Sequence, residues 1–103
     1  MPNEEVLVRH VNDEVDTRPE TILRDGTNFY WLYIHNISSN TLYISFDGGT
    51  AWKQIAADKT LELTAPQGRK IHLTEPLKLK GSASDTEFEM LLLVARPDAM
   101  RIR

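Results

Sequence analysis

Apolar residues recur at every second position through much of this chain, which is the spacing of β-strands whose alternate side chains face opposite sides. Residues 87–94 give the clearest pattern. One face of this segment is apolar throughout and consists of Phe88, Met90, Leu92 and Val94. The other face begins with Glu87 and Glu89 and ends with Leu91 and Leu93. We therefore predict a strand that is covered on one side at its start and on both sides at its end.

Several other segments also have the composition of strands. They alternate or are rich in aromatic and β-branched residues, and they span residues 29–34, 41–46, 60–64, 70–73 and 77–80. Turn-forming clusters separate them at residues 36–40, 47–49, 65–68 and 81–85. Short strands at intervals of roughly ten residues, without a convincing helix, predict an all-β protein. The expected architecture is a small antiparallel β-sandwich, jelly-roll-like, or a barrel.

The first 25 residues differ in composition from the rest of the chain. They are polar, have a net charge of −4, and contain only Val6-Leu7-Val8 and Ile22-Leu23 as apolar stretches. We predict an extended N-terminal arm over residues 1–25, which could supply one edge strand, followed by the β-sandwich domain over residues 26–96. Residues 97–103 would form a short basic C-terminal tail. The oppositely charged ends could pair within one chain or between neighbouring chains, or both could be solvated.

Composition excludes several classes of protein. No apolar run approaches the roughly 18 residues of a membrane helix, and the first residues lack the layout of a secretory signal. The chain has no cysteine, so it has neither disulfides nor thiolate chemistry. These features suit synthesis in a reducing cytoplasm. Asn36-Ile37-Ser38 matches a glycosylation sequon, which we interpret as chance.

The sequence shows no arrangement of residues suited to catalysis. His10, His35 and His72 are far apart in sequence and form no paired metal-ligand motif. Nucleophile-elbow, phosphate-loop and dinucleotide motifs are all missing from the sequence. We therefore expect no catalytic residues, no metal, no cofactor and no enzyme activity. A small hydrolase ranks last, since acidic pairs are present but no nucleophile–base pair is evident.

The stretch SFDGGTAW, residues 45–52, resembles the Asp-box of sialidases and related β-propellers. The matching residues are Ser45, Asp47, Gly49 and Trp52, whereas Ala51 stands where the motif has Thr. Asp47 can accept hydrogen bonds from the backbone that follows it, and Gly48 and Gly49 allow positive φ. Trp52 would fold back onto the sheet. One copy cannot build a propeller, so we predict a structural turn formed by Ser45, Asp47, Gly48, Gly49 and Trp52.

Two segments carry more apolar surface than a small two-layer sandwich needs, namely residues 29–34 and 91–94. Surplus apolar surface in a soluble chain typically marks an interface, so we expect a homo-oligomer. The predicted interface residues are Phe29, Tyr30, Trp31 and Tyr33 from the aromatic strand and Val6, Leu7 and Val8 from the arm. A monomeric core with a frayed N-terminus is the alternative. The aromatic segment lacks interleaved basic residues, which argues against nucleic-acid binding.

Residues 36–52 and 77–84 resemble small β-sandwich virion proteins of tailed bacteriophages. Such chains carry a phrase of the type N-x-S-x-x-x-I-Y-V-S-F-D-G-G and a Gly-Ser-Ala loop, and this chain reads NISSNTLYISFDGG and LKLKGSAS there. The resemblance implies a non-enzymatic structural protein that is present in many copies in the virion and is made in the cytoplasm of the bacterial host. Its partners would be phage capsid or neck/tail proteins, and it would decorate or cement the particle.

A carbohydrate-binding module is the alternative function. β-Sandwiches with exposed aromatic side chains can stack on sugar rings. Trp31, Tyr33 and Trp52 would then form the platform for a glycan.

Overall fold

The computed structural model describes residues 6–67 and 69–95, and all of its regular structure is β. Nine strands occur in this part of the chain. They are β1 (Val6–Val15), β2 (Glu20–Leu23), β3 (Asn28–Asn36), β4 (Leu42–Ser45), β5 (Lys53–Ile55), β6 (Thr60–Thr64), β7 (Ile71–His72), β8 (Leu77–Gly81) and β9 (Thr86–Ala95). The prediction of an all-β antiparallel sandwich is confirmed. The short strand β5 had no signal in the alternation pattern, because only Ile55 of its three residues is buried.

The strands form two antiparallel sheets with a jelly-roll connection. The first sheet has the order β1-β9-β3-β6, and β7 also pairs with β3. The second sheet has the order β2-β8-β4-β5. Successive strands change sheet at every connection except the β4–β5 hairpin and the step from β6 to β7. Counting β6 and β7 as one interrupted strand gives the eight strand positions of a jelly roll.

The core lies between the inner faces of the two sheets. The apolar face predicted for β9 is fully buried, and the second sheet opposes it with side chains from β4 and β8. Those side chains are Leu42, Ile44, Leu77 and Leu79. Because β9 is the strand between β1 and β3, its outward residues Leu91 and Leu93 are flanked on both sides and half-buried.

A bulge in β3 decides which aromatic residues face outward. Phe29 pairs with Val94 and Trp31 with Leu93, so Tyr30 is an extra residue in the ladder. The inserted residue reverses the side-chain alternation. Phe29 therefore points into the core with no exposed surface, whereas Trp31 faces outward.

Residues 6–23, which the sequence analysis assigned to an extended arm, belong to the sandwich. Strand β1 pairs with β9 over ten residue pairs, from Val6–Ala95 to Val15–Thr86, and β2 pairs with β8. Val11 and Val15 are buried in the common core. This segment looks like a tail in the sequence because an edge strand covered on one face needs few apolar residues. The predicted basic tail, residues 97–103, and residues 1–5 lie outside the described residues.

Candidate interaction surface

The outward face of the first sheet carries a contiguous apolar area. Strand register places Val8, Leu93 and Trp31 side by side across β1, β9 and β3. The next row on the same face brings Leu91 next to Tyr33. Val8 is 66% exposed, and Val6 at the end of β1 is 47% exposed. We call this area the outer patch, and it consists of Val6, Val8, Trp31, Tyr33, Leu91 and Leu93.

The aromatic part of the outer patch is held in one conformation. The rings of Trp31 and Tyr33 are stacked, with centroids 6.0 Å apart and planes inclined by 10°. The indole Nε1 of Trp31 donates a hydrogen bond of 2.5 Å to Oε2 of Glu62 on β6. Glu62 is also the cross-strand partner of Tyr33, so the carboxylate that binds Trp31 lies next to both rings on this face. A partner would meet a preorganised surface, which lowers the entropic cost of binding.

Beyond the outer patch, the same face becomes acidic. Glu87 and Glu89 occupy the outward positions of the first half of β9, and Glu14 pairs with Glu87 from β1. Glu89 Oε2 lies 3.1 Å from Nε2 of His10. The face is thus divided into an apolar end and a glutamate-rich end.

The seven predicted interface residues do not all lie on one surface of the protein. Val6, Val8, Trp31 and Tyr33 lie on the outward face, and Tyr30 lies at the bulge with Nζ of Lys70 5.9 Å from its ring centroid. Phe29 and Leu7 do not belong to the surface. Phe29 has no exposed surface, and Leu7 packs against the core cluster opposite Val94. The alternation in the sequence could not show which aromatic residues of β3 face the core and which face outward, since the bulge in β3 leaves no periodic signal.

The turn at residues 45–52 is closed by two side chains. The hydroxyl of Ser45 donates to Oδ1 of Asp47 at 2.7 Å and accepts from the amide of Gly49 at 2.8 Å. Asp47 Oδ1 also accepts from the amides of Thr50 at 3.1 Å and Ala51 at 3.0 Å. Gly48 and Gly49 have φ of 77° and 103°, which favours glycine at both positions.

The hydrogen bonds of this turn stabilise the charged form of Asp47. The amide of Ala51 and then the hydroxyl of Ser45 lower the pKa of its carboxyl below the ordinary value of 3.8, and the Thr50 amide adds to this. Desolvation acts in the opposite direction, and its effect is smaller than that of either Ala51 or Ser45. The three donors all bind one carboxylate oxygen, Oδ1, and together they close the turn.

Trp52 lies against the outward face of the second sheet. The ammonium of Lys80 on β8 lies 4.5 Å from the Trp52 ring centroid and 5.5 Å from that of Tyr43 on β4. These are cation–π distances. Gly49 closes the other side, since a Cβ there would lie 3.5 Å from Cζ2 of Trp52. The indole therefore joins the turn to the sheet.

The aromatic residues proposed for a glycan platform are not brought together. Trp31 and Tyr33 lie on β3 of the first sheet, whereas Trp52 packs on the second sheet beside Lys80. The two sheets face each other across the core, so their outward faces point in opposite directions. No single sugar chain segment of a few rings could stack on all three residues.

Asn36 is a residue whose importance the sequence analysis missed. Its side chain is fully buried at the end of β3. The amide Nδ2 donates to the carbonyls of Asn40, Ile55 and Ala56 at 2.7, 2.9 and 3.2 Å. Oδ1 accepts from the amide and hydroxyl of Ser38. The Asn-x-Ser spacing is thus the signature of a buried polar junction between two loops.

The described part of the chain includes two surface concavities of different character. One, of about 320 Å³, lies under the β4–β5 hairpin and is lined by Ile44, Phe46, Asp47, Ala51, Trp52 and Lys53. The other, of about 230 Å³, is lined mainly by acidic residues, namely Glu14, Asp16, Glu20 and Asp85, with Val15 and Ser84.

Within residues 6–67 and 69–95, no three His, Asp or Glu side chains are grouped so that they could hold a metal ion. The same residues contain no helix that could span a membrane.

Comparison with known proteins gives a likeness of fold. No family model and no curated protein matches the sequence. A chain of the Bacillus endospore appendages, described as a family of disulfide-linked pili, superimposes with a TM-score of 0.54 at 11% identity, over 91% of both chains. A chain of the virus-like particle of extra small virus from the prawn Macrobrachium rosenbergii gives a TM-score of 0.42 at 6% identity, over 90% of this chain and 80% of the other. At 11% identity, what this chain shares with the appendage subunit is the fold alone.

Proposed function

We propose that this chain is a non-enzymatic structural subunit that self-associates through the first sheet and is built into the virion of a tailed bacteriophage. It would bind capsid or neck/tail proteins and decorate or cement the particle. The observation that carries this proposal is the outer patch on the first sheet.

The outer patch has the composition of an interface centre. Trp and Tyr are enriched at the centres of protein interfaces, and here they stand next to two exposed valines and two half-buried leucines. The patch lies on three neighbouring strands of a sheet, β1, β9 and β3, and not on loops, so it is rigid. Covering such a surface is favourable, by roughly 25 cal/mol for each Å² of apolar area removed from water.

The virion assignment is supported by the sequence resemblance over residues 36–52. In the structure, this segment contains the turn at Asp47 and the buried side chain of Asn36. The shared fold with a pilus subunit agrees with an assembling protein, although folds host many functions. The 103 residues contain no cysteine, so assembly of this chain would depend on non-covalent contacts, unlike that of the disulfide-linked pili. Weak contacts repeated over a lattice add through effective concentration.

Sedimentation velocity over a concentration series tests the self-association. Replacing both Val8 and Leu93 by Ser removes two neighbouring side chains of the outer patch and should weaken association at least about tenfold. Ile37→Ser is the matched control, because Ile37 is an aliphatic residue that is 40% exposed in the loop after β3. The control should associate like the wild type. A wild-type protein that stays monomeric at the highest concentration would refute the proposal.

Mass spectrometry of purified particles tests the virion assignment. The measurement requires phage particles from the genome that encodes the chain, purified on a density gradient. Peptides of this chain should co-purify in many copies per particle with the capsid and neck/tail proteins. Their absence from intact particles, with the chain present in the infected-cell lysate, would contradict a structural role in the virion.

A further inference from the structure

The outward face of the first sheet is acidic outside the outer patch. The outward positions of β1, β3, β6 and β9, as described from Val6 to Val94, carry four glutamates and neither lysine nor arginine. These glutamates are Glu14, Glu62, Glu87 and Glu89. Lys70 lies at the margin of the sheet near Tyr30. We call this side of the sandwich the glutamate face, and it includes the outer patch.

The outward face of the second sheet has the opposite charge. Its outward positions on β2, β8, β4 and β5 are Thr21, Lys78, Lys80, Tyr43, Ser45 and Gln54. Two acidic groups lie at the hairpin end of this face, namely the Asp47 carboxylate, which is bound by its own turn, and Glu75, which lies near Gly48. We call this side, with Trp52 packed on it, the lysine face.

The two faces match in a second respect, because each presents a pair of aromatic rings. On the glutamate face the Trp31 and Tyr33 rings stack on each other. On the lysine face Trp52 and Tyr43 both contact the ammonium of Lys80. A glutamate face laid on a lysine face would bring opposite charges and aromatic surfaces together.

From this complementarity we infer that copies of the chain stack front to back, with the glutamate face of one copy against the lysine face of the next. This inference rests on the proposed self-association and specifies its geometry. Two glutamate faces laid together would oppose like charges, which is unfavourable at an interface. Front-to-back contact is heterologous, so each added copy presents a new glutamate face, and the assembly grows as a filament or closes as a ring.

Charge reversal on one face at a time tests the geometry. A front variant carries Glu87→Lys and Glu89→Lys, which leaves Glu62 free to hold Trp31. A back variant carries Lys78→Glu and Lys80→Glu. A control with Arg24→Glu and Lys59→Glu makes the same change in net charge as the back variant, at exposed positions on loops outside both faces. Circular dichroism confirms the fold of each, and Lys78→Glu alone serves if the double back variant does not fold.

Each variant alone should associate at least about tenfold more weakly than the wild type, because it opposes like charges. An equimolar mixture of the front and back variants should recover association, since the lysines of one now meet the glutamates of the other. The control should behave like the wild type.

Three results would overturn the inference. A back variant that associates as tightly as the wild type would show that the lysine face is not used, while self-association through the first sheet still holds. A mixture that stays dissociated would show that the two reversed faces do not meet. A monomeric wild type would instead refute the proposed self-association itself, and the front-to-back geometry would fall with it.

Discussion

Gly81 at the end of β8 lies directly against Thr86 at the start of β9. A Cβ on Gly81 would lie 2.5 Å from the Cβ of Thr86, closer still to its Oγ1, and 2.9 Å from the carbonyl oxygen of Ala83. The loop between these strands can therefore close tightly only around a residue without a side chain. Thr86 Oγ1 uses this position to donate to the Ala83 carbonyl at 2.8 Å.

Gly81→Ala should destabilise the protein by about 1–3 kcal/mol, because the buried Thr86 side chain and the Ala83 carbonyl must move to admit one methyl group. Urea unfolding measures the change. Ser84→Ala, at an exposed position in the same loop, is the control and should have little effect. Equal stability of Gly81→Ala and the wild type would contradict the close approach of Gly81 and Thr86.

Asn36→Asp should destabilise the protein by about 2–4 kcal/mol. The substitution keeps the shape and the acceptor for Ser38 but removes the two N–H donors of Nδ2 and turns a carboxylate toward the carbonyls of Ile55 and Ala56. Thermal unfolding at neutral pH measures the loss. Gln54→Glu makes the same amide-to-carboxylate change at an exposed position on β5 and should be close to neutral. Equal effects at the two positions would exclude the junction at Asn36.

The turn at Asp47 should contribute to the pH dependence of stability in acid. The pKa of Asp47 is lowered on folding, so its contribution is fully present above the ordinary value of 3.8 and is lost as the pH falls below that value. Asp47→Asn retains an acceptor oxygen and should flatten the fall in the urea midpoint below this pH. Asp25→Asn removes a carboxylate from an exposed loop and is the comparison variant. A wild-type acid profile in Asp47→Asn would show that its charge does not matter.

Two valines on β1 test whether the N-terminal segment is part of the sandwich. Val11 is 9% exposed and Val8 is 66% exposed, on opposite faces of one strand. Val11→Ser should cost about 2 kcal/mol of folding free energy, because it loses apolar burial and leaves a cavity. Val8→Ser should cost less than about 0.5 kcal/mol. Guanidinium unfolding at a concentration where the protein is monomeric measures both. Near-neutral effects at both positions would be the result expected of a loose arm.

Local patterns were enough to predict the fold class and the central strand. The alternation in residues 87–94 identified the buried face of β9 because that strand lies between two neighbours and over the core. The chemistry of Asp47 and the two glycines likewise indicated a turn, since a turn depends on residues adjacent in sequence.

Features that depend on distant residues could not be predicted in this way. Strand β1 is polar at half of its positions, and its pairing with β9 is what makes it a strand. The bulge at Tyr30 reverses the alternation in β3, and so Phe29 was placed on the wrong side. The carbonyls bound by Asn36 come from Ile55 and Ala56, and Trp52 meets Lys80 only across the second sheet. These contacts are set by the tertiary arrangement.

The order of the first sheet also has a consequence for folding during translation. Strands β1 and β3 do not pair with each other, and β9 lies between them although it follows the other eight strands of the described residues. While the ribosome is still producing the earlier strands, β1 has no neighbour and the sheet lacks its middle. The apolar side chains of β1 and β3 that later form the core therefore stay uncovered by β9 until β9 has been synthesised. Such delayed closure is typical of folds built from distant pairings and leaves the growing polypeptide open to chaperones.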